Sequence, residues 1–269
     1  MSFAGRRILI VGGSSGIGLA LAKALDRQGS HLILYSRHVD RLRADTHGTF
    51  ADRHTLVTGD LRHPEDLNRL DAAIANAGGL LDGIIFSAGV SRPDDIDALD
   101  LERALDTIRL NLEAPFRVFY RYLPQLLKRP GSFLAGFTSM AGDRGMPKGH
   151  AYSAAKAGFD RLLESLRIDL LDRGITVYTI VPGYVDTPMS AQNRFPMPGI
   201  WPPERAAEHI LQAMSRGKQV IRFPWYHSLG MRLLCALPDR LYWWLMHRQR
   251  SQIKIDPHPD EPLRWPSEP

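Results

Sequence analysis

The stretch RRILIVGGSSGIGLALAKAL (residues 6–25) joins a short apolar run to an amphipathic run through a turn with four glycines. The apolar run at 7–11 predicts a buried strand, and the apolar spacing after the turn predicts a helix from Gly16 that stops at Gly29. Glycines in such a turn let the backbone come close to a ligand, and the free N–H groups at the start of a helix bind phosphate. A strand, a glycine turn and a helix in this order therefore predict a dinucleotide-binding unit.

The rest of the chain repeats this alternation of apolar runs and helical patterns. Further strands are predicted at residues 31–35, 55–58, 83–86, 132–138, 176–181 and 219–222, and further helices at 64–77, 101–127, 150–172 and 203–215. The helix at 101–127 is expected to bend near Pro115 and Pro124. Strands that are apolar almost throughout and alternate with helices are typical of a parallel sheet covered on both faces. We therefore expect an α/β fold, a doubly wound Rossmann-type parallel sheet of about seven strands with helices on both faces.

The composition argues against several classes of protein. Of the 269 residues, 44% are hydrophobic and 23% charged, which is ordinary for a globular protein with a core. Cys235 is the one cysteine, so no intrachain disulfide is possible and a reducing, cytoplasmic compartment is favoured. The net charge of +5 is scattered rather than clustered, so no nucleic-acid partner is predicted, and the ten histidines show no paired ligand spacing, so no metal site is predicted. We find no signal-peptide pattern and no apolar run near the 18 or so residues of a membrane-spanning helix.

A second interpretation of the glycine turn is that of a serine hydrolase. Residues 12–16 (GGSSG) also match G-x-S-x-G, the turn that presents a nucleophile, and this match would make Ser14 the nucleophile. In such hydrolases the turn follows several strands, whereas here it follows the first. A hydrolase also leaves Gly18 unexplained, so the dinucleotide interpretation is favoured.

The end of the second predicted strand bears on the choice between NAD and NADP. An acidic residue about 20 residues after the glycines binds the 2′-hydroxyl of NAD. The chain has Ser36 and Arg37 at this place. Arginine offers a planar set of donors to a 2′-phosphate, so NADP(H) is favoured over NAD(H). The alternative is a surface arginine that binds no ligand.

The glycine turn has the form GxxxGxG, and it is followed along the chain by Asn111, Ser139 and the pair Tyr152-x-x-x-Lys156. With these features, residues 5–222 resemble the short-chain dehydrogenase/reductase family. The resemblance implies that Tyr152 gives or removes the substrate proton and that Ser139 binds the substrate oxygen. It also implies that Lys156 holds the nicotinamide ribose and lowers the pKa of Tyr152, and that Asn111 links Lys156 to a water path.

The resemblance further implies a set of cofactor contacts. They are Gly12, Ser14, Ser15, Gly16, Ile17 and Gly18 in the turn, Ser36 and Arg37 after the second strand, Asp60 and Leu61 near the adenine, Ser87, Ala88 and Gly89 near the adenine ribose, Tyr152 and Lys156, and Pro182, Gly183, Val185 and Thr187 in the nicotinamide loop. Two positions depart from the family pattern, because Val11 replaces the usual threonine and Ser87 the usual asparagine. Both are expected to brace the turn and the sheet rather than to act in the chemistry.

The pairing of Tyr152 with Lys156 has a chemical reason. The pKa of a free phenol is near 10, so tyrosine is a poor base at neutral pH unless a nearby cation stabilises the phenolate. Residues four apart share one face of a helix, which brings Lys156 under Tyr152. We therefore predict an oxidoreductase that interconverts a ketone or aldehyde and an alcohol. A nucleotide-binding regulatory protein with little turnover is the alternative.

Residues 188–202 (PMSAQNRFPMPGIWP) are similar to the variable substrate loop of the family. Their apolar side chains predict an apolar or lipid-like substrate, and the residues expected to contact it are Met189, Phe195, Met197 and Trp201. The alternative is a surface loop packed by its own side chains. Family members commonly form homo-oligomers through the helices that carry Asn111 and Tyr152, and the resemblance implies the same here.

The chain continues beyond the catalytic domain expected at residues 1–222. Residues 223–250 are apolar and basic and are predicted to form a helical extension, and residues 251–269 contain five prolines and are expected to be irregular. Three interpretations of the extension remain open. It caps the substrate pocket, it forms a subunit contact, or it lies on a membrane surface beside the active site.

Overall fold

Seven parallel strands form the central sheet of the computed structural model, which describes residues 2–39, 42, 50–193 and 196–250. They are β1 (Arg7–Val11), β2 (His31–Ser36), β3 (Thr55–Thr58), β4 (Gly83–Phe86), β5 (Phe133–Phe137), β6 (Thr176–Pro182) and β7 (Val220–Phe223). Their order in the sheet is β3-β2-β1-β4-β5-β6-β7, and each neighbouring pair is parallel. The predicted doubly wound, Rossmann-type α/β fold is confirmed.

Helices cover both faces of this sheet. The α-helices of the described ranges are α1 (Gly16–Arg27), α2 (Leu67–Asn76), α3 (Leu101–Ile108), α4 (Ala114–Leu126), α5 (His150–Asp169), α6 (Pro203–Ser215), α7 (Trp225–Ala236) and α8 (Asp239–Gln249). Residues of α1 and α6 pack with Ile8 and Ile10 in one buried cluster. Residues of α2, α4 and α5 pack with Leu9 and Val11 in a second. Successive residues of β1 thus face opposite sides, and this is why the strand is apolar at nearly every position.

The helices differ from the sequence prediction mainly at their ends and at one interruption. The predicted helix at 101–127 consists of α3, a π-helical turn at Arg109–Glu113 and α4. Pro115 lies two residues after the π-turn, and Pro124 lies inside α4 without ending it. The interruption therefore lies at the π-turn, directly ahead of Pro115. The helix predicted at 150–172 ends at Asp169.

The strand order creates the place where a ligand can bind. β2 lies on one side of β1 and β4 lies on the other. The loops that follow the carboxyl ends of β1 and β4 therefore diverge. Dinucleotides bind at such a switch point in open parallel sheets. The glycine turn follows β1 and residues 87–89 follow β4, so both predicted nucleotide segments lie there.

The extension after β7 is helical, as α7 and α8 show. Of the helices in the described part of the chain, none is both long enough and apolar enough to cross a membrane. The prediction for residues 251–269 lies outside the described residues.

Close packing between β4 and β5 leads to a stability prediction. A Cβ atom at Gly83 would lie 2.1 Å from Cε1 of the buried Phe133. Gly83→Ala is therefore expected to lower the free energy of unfolding by about 1–3 kcal/mol, as overpacked cores do. Gly230→Ala in the middle of α7 is the control, because its Cβ would meet nothing within 4 Å. Denaturant unfolding that showed equal stability for Gly83→Ala and the wild type would contradict the packing described.

Candidate active site

The glycine turn is built so that α1 starts directly against the backbone of its neighbours. Gly12 has a φ of +91°, and a Cβ atom there would lie 2.6 Å from the backbone nitrogen of Ala88. A Cβ atom at Gly18 would lie 2.2 Å from the carbonyl oxygen of Gly12. Only glycine fits these two places, because no side chain can be accommodated at such distances.

The start of α1 has the features of an anion site. Ser15 is the N-cap residue, in an extended conformation, and its side chain makes no capping hydrogen bond to the first-turn N–H groups. These N–H groups lie at the positive end of the helix dipole and donate hydrogen bonds to a phosphate when one binds. The hydroxyls of Ser14 and Ser36 lie 2.6 Å apart and join the turn to the end of β2. Ser14 thus bonds to another serine, not to the histidine that a hydrolase nucleophile requires.

Ser87 braces the turn from the next strand. Its hydroxyl donates to the carbonyl oxygen of Val11 at 3.0 Å and to that of Gly12 at 3.3 Å. The backbone N–H of Ala88 also donates to the carbonyl oxygen of Val11, at 3.0 Å. The two residues that depart from the family pattern, Val11 and Ser87, therefore contact each other and hold the turn against β4.

Two arginines and an aspartate meet beyond the end of β2. The carboxylate of Asp60 lies 3.1 Å from Nε of Arg62 and 4.0 Å from the guanidinium of Arg37. Burial and the like charge of Arg62 lower the pKa of Arg37. Burial raises the pKa of Asp60, but hydrogen bonds from Arg62 and the two positive charges outweigh it, and the net shift is downward. Asp60 is therefore ionised at neutral pH, and it holds two guanidinium groups close together.

Asp106 on α3 also positions this cluster, although no sequence pattern singled it out. Its carboxylate accepts from Arg92 at 2.7 Å and lies 3.8 Å from the guanidinium of Arg62. The sequence shows only a polar position on a helix there, because the pairing joins three segments that are distant along the chain.

Ser139 and Tyr152 lie together at the carboxyl end of β5. Ser139 caps a short 3₁₀ turn, and its oxygen accepts from the N–H of Ala141 at 3.2 Å, so its own proton remains available. Asp94 holds the first turn of α5 by accepting from the N–H of Ala151 at 3.1 Å. Burial raises the pKa of Tyr152, and a hydrogen bond with Ser139 opposes that rise. The hydrogen bond places the serine hydroxyl beside the phenol.

Lys156 lies one turn further along α5 and is buried. Its ammonium donates to the carbonyl oxygen of Phe137 at 2.9 Å and lies 5.7 Å from the centre of the Tyr152 ring. Burial lowers the pKa of Lys156 to about 7. The polypeptide alone therefore does not provide the lowered tyrosine pKa that the sequence predicts. Burial acts on both groups at once, since it disfavours the phenolate and the ammonium alike.

Asn111 completes the cluster from the π-turn. Its side chain is fully buried, and its Nδ2 donates to the carbonyl oxygens of Val90 at 2.8 Å and Thr107 at 2.9 Å. A Cβ atom on Gly89 would lie 2.6 Å from Oδ1 of Asn111 and 3.5 Å from Nζ of Lys156. Asn111 and Lys156 thus approach the same glycine from two helices. The π-turn is a feature often found at functional sites.

The predicted nicotinamide loop after β6 is held by a serine that sequence reasoning missed. The buried Ser190 donates to the carbonyl oxygen of Val185 at 2.7 Å and accepts from the N–H of Thr187 at 2.9 Å. A Cβ atom on Gly16 would lie 3.0 Å from Thr187, so this loop reaches the glycine turn. The spacing T-x-x-S was the available signal, because Ser and Thr often bond to nearby backbone.

The residues expected to contact the substrate lie in different surroundings. The Trp201 ring stacks on Phe223 at 5.4 Å and lies under the guanidinium of Arg205 at 4.1 Å, so it packs against the core of the α6 side. The backbone of Trp201 pairs with the predicted nicotinamide loop, because its N–H donates to the carbonyl oxygen of Tyr184 at 3.0 Å. Met189 and Met197 are partly buried, and the sulfur of Met197 is 3.5 Å from Nδ2 of Asn193. Phe195 lies outside the described residues.

A cleft of about 700 Å³ opens beside the first residue of α5. Its lining residues are Asp94, Asp95, Ile96, Asp97, Pro147, Lys148, His150, His247, Arg248 and Arg250. Neither Ser139 nor Tyr152 lines it, and most of its side chains are charged. The cleft therefore lies beside the start of α5, and Met189, Met197 and Trp201, which are expected to contact the substrate, do not line it.

A Rossmann-type sheet with its glycine turn at the switch point defines a class, the dinucleotide-binding proteins of this fold. Comparison with known families narrows the class, because residues 6–197 match the family described as short chain dehydrogenase. The chain belongs to the short-chain dehydrogenase family, as the resemblance predicted.

Relatives and solved structures agree with this assignment. An oxidoreductase of Myxococcus xanthus is 34% identical over 240 residues, which cover 88% of this chain and 94% of the relative. Oxidoreductase UcpA of Salmonella typhimurium is 34% identical over 192 residues, or 69% of this chain and 72% of the relative. The structure of a variant actinorhodin polyketide ketoreductase with NADPH is similar with a TM-score of 0.73 and 26% identity, covering 81% of this chain and 95% of that one. The chain is thus an oxidoreductase by family and by fold.

Proposed function

We propose that this protein is an NADP(H)-dependent oxidoreductase that interconverts a ketone or aldehyde and an alcohol, with an apolar or lipid-like substrate. The observation that carries the proposal is that the Lys156 ammonium lies 5.7 Å from the centre of the Tyr152 ring and, like Asn111, approaches Gly89, with Ser139 beside the phenol. We assign the chemistry to residues 1–222 and treat 223–250 as an extension of that unit.

The reduced nicotinamide supplies a hydride when it is bound. The residues of the chain then have separate tasks at the substrate oxygen. Tyr152 donates a proton to it as negative charge develops, and Ser139 donates a hydrogen bond to the same atom. Lys156, which Phe137 holds in place, supplies the positive charge that stabilises the phenolate left behind. Asn111 fixes the backbone of Val90 next to Lys156, and we assign it the link from Lys156 to a water path that the family resemblance implies.

The residues around the switch point fit a dinucleotide with a 2′-phosphate. The uncapped first turn of α1 offers donors to the pyrophosphate, and Gly12 and Gly18 remove side chains from its path. At the other end, the paired guanidinium groups of Arg37 and Arg62 offer positive charge. The similar polyketide ketoreductase was solved with NADPH, which supports the same cofactor here.

The choice of cofactor gives a direct prediction. Arg37→Ala is expected to raise the KM for NADPH about ten- to hundredfold, because a charge-assisted contact to the 2′-phosphate is lost. The KM for NADH, which has no such phosphate, is expected to change little. Arg53→Ala, an exposed arginine paired with Asp26, is the control. Tighter binding of NADH than NADPH by the wild-type protein would contradict the assignment.

A substrate panel tests the reaction itself. NADPH oxidation is measured with aldehydes and ketones of increasing chain length, and the rate is expected to rise with chain length as more apolar surface is buried. Binding of NADPH without oxidation by any carbonyl, and without NADP reduction by the matching alcohols, would favour the regulatory alternative.

We also propose that the chain works as a homo-oligomer, acts on small molecules and has no nucleic-acid partner. The outer faces of α4 and α5 support the oligomer, because the large apolar side chains of Phe116, Tyr120 and Ile168 are exposed there. The same faces carry charges of both signs, such as Glu113 with Arg117. Such a surface is self-complementary in a two-fold contact. The single cysteine supports a reducing, cytoplasmic setting.

A further inference from the structure

The extension leaves an unusual amount of apolar surface exposed. Trp225 is 73% exposed, Trp243 61% and Trp244 52%. Leu229, Leu233 and Leu241 are also exposed, and we use the name apolar face of the extension for these six side chains. On α7, positions 225, 229 and 233 follow the four-residue spacing of one helical face. Exposed apolar groups of this size mark an interaction surface rather than scattered single residues.

The same segment carries mostly positive charge. Residues 223–250 contain four arginines, Arg232, Arg240, Arg248 and Arg250, and all four are exposed. Asp239 is the one acidic residue of the segment, and it is paired with Arg144 of the main domain at 2.6 Å. The guanidinium of Arg248 lies 4.2 Å from the centre of the Trp244 ring. Tryptophan beside arginine is typical of groups at a membrane interface, where an apolar body and a charged end are both accommodated.

The apolar face points outward because the opposite face of α8 is fixed to the main domain. Tyr242 and Met246 are buried, and the hydroxyl of Tyr242 donates to the carbonyl oxygen of Gly145 at 2.8 Å. The guanidinium of Arg144 lies 3.8 Å from the Tyr242 ring and donates to the carbonyl oxygen of Leu237 at 3.0 Å. These contacts fix which side of α8 is exposed, so the exposure does not arise from a loosely attached segment.

The extension also contacts two segments that adjoin the catalytic cluster. The hydroxyl of Tyr226 in α7 donates to the carbonyl oxygen of Gly199 at 3.1 Å, and a ring nitrogen of His227 lies 2.9 Å from the carbonyl oxygen of Pro198. Both acceptors belong to the segment that we expect to form the substrate loop. On α8, Tyr242 contacts the segment between Ser139 and Tyr152. Any surface on which the extension docks would therefore lie next to the catalytic cluster.

From these observations we propose that the apolar face of the extension docks on an anionic lipid bilayer. A second copy of the chain is a poorer occupant, because a two-fold contact brings the same arginines of both copies together and like charges repel. The mixed charges on α4 and α5 suit a second copy, and the positive charge of the extension suits anionic headgroups. The tryptophans and leucines enter the headgroup region while the arginines bind the lipid phosphates.

Sedimentation of the full-length protein with vesicles tests the proposal. We expect binding to vesicles of phosphatidylcholine with phosphatidylglycerol, loss of binding at high salt, and little binding to phosphatidylcholine alone. The variant Trp243→Ser with Trp244→Ser removes apolar contact, and Arg232→Glu with Arg240→Glu reverses charge. Each pair is expected to weaken partitioning about tenfold or more. The matched control is Arg27→Glu with Arg216→Glu, which reverses two exposed arginines outside the extension and is expected to bind like the wild type.

Three results would overturn the proposal. The first is a wild-type protein that stays in the supernatant with anionic vesicles at low salt. The second is a control pair that loses as much binding as the extension pairs. The third is a change of oligomeric state in size-exclusion chromatography caused by the two tryptophan substitutions, which would make the face a subunit contact. Circular dichroism of each variant verifies folding, and vesicle binding needs no turnover, so the result stands apart from the proposed reaction.

Discussion

Tyr152→Phe is expected to lower kcat/KM about a thousandfold in the NADPH-dependent reduction of a carbonyl compound. General acid catalysis by a positioned side chain contributes about 10²–10⁴ in rate, and this substitution removes the proton without removing the ring. The affinity for NADPH is expected to stay near the wild-type value, because the phosphate turn and the Arg37 cluster are unchanged. The measurement is steady-state kinetics at several pH values, together with NADPH binding by fluorescence titration.

Tyr120→Phe is the matched control for this change. Tyr120 lies on α4 and is 63% exposed, so loss of its hydroxyl leaves the active site untouched. The control is expected to retain full turnover. If Tyr152→Phe kept wild-type turnover as well, Tyr152 would not be the acid and the assignment of Ser139 as its partner would fail with it.

Lys156→Met is expected to lower kcat/KM about a hundredfold or more relative to the wild type. Methionine fills the space but supplies neither the charge nor the hydrogen bonds of the ammonium. Unlike Tyr152→Phe, it is expected to raise the KM for NADPH, because the resemblance places the lysine on the nicotinamide ribose. Lys218→Met, at an exposed position outside the site, is the control and should leave both constants unchanged. Loss of turnover in Lys156→Met without a change in the KM for NADPH would argue against the ribose contact.

The same variant also changes how stability depends on pH. The pKa of Lys156 in the folded protein is lowered to about 7, against an ordinary value of 10.5. Between these values the unfolded chain binds the proton that the folded chain has released, so stability rises with pH by about 1 kcal/mol per pH unit. Below about pH 7 the folded protein contains a buried ammonium, and this contribution to stability is at its lowest. Above pH 10.5 the unfolded chain has lost the proton too, and the gain in stability is complete.

Urea unfolding from pH 7 to pH 9 measures this effect as the difference between the wild type and Lys156→Met. The difference is expected to move in favour of the wild type as the pH rises. The upper limit avoids the tyrosines whose pKa burial raises, such as Tyr178, because they make stability fall again near and above pH 10. A difference that stayed constant over the range would contradict the lowered pKa.

The fold was predictable from the sequence because local patterns determine it. Apolar strands such as β4 and β5 are buried at every position, and this is the pattern of a parallel sheet with helices on both faces. The conformation of the glycine turn was also predictable, because glycines such as Gly12 and Gly18 are needed where backbone packs directly on backbone. Helix ends such as Asp169 were less certain, because terminal turns depend on tertiary contacts.

The site was predictable where it depends on spacing along one element, and less so where it depends on contacts between elements. Tyr152 and Lys156 share a helical face, so their proximity follows from the sequence. The role of Ser190 in holding the predicted nicotinamide loop, and the stacking of the Trp201 ring on Phe223, depend on how a loop folds back on itself. The raised pKa of Tyr152 also could not be predicted, because desolvation reflects the burial that several elements create together.

Transfer of deuterium to a medium-chain ketone from NADPH that is deuterated at both C4 positions of the nicotinamide tests the central claim most directly. Mass spectrometry of the product measures it, with Tyr152→Phe as the inactive reference. We predict one deuterium on the carbinol carbon of the alcohol, formed in equal amount to NADP, and almost none with the variant. Bound NADPH that transfers no deuterium to any ketone or aldehyde of the panel would contradict the account and identify a nucleotide-binding protein without this reaction.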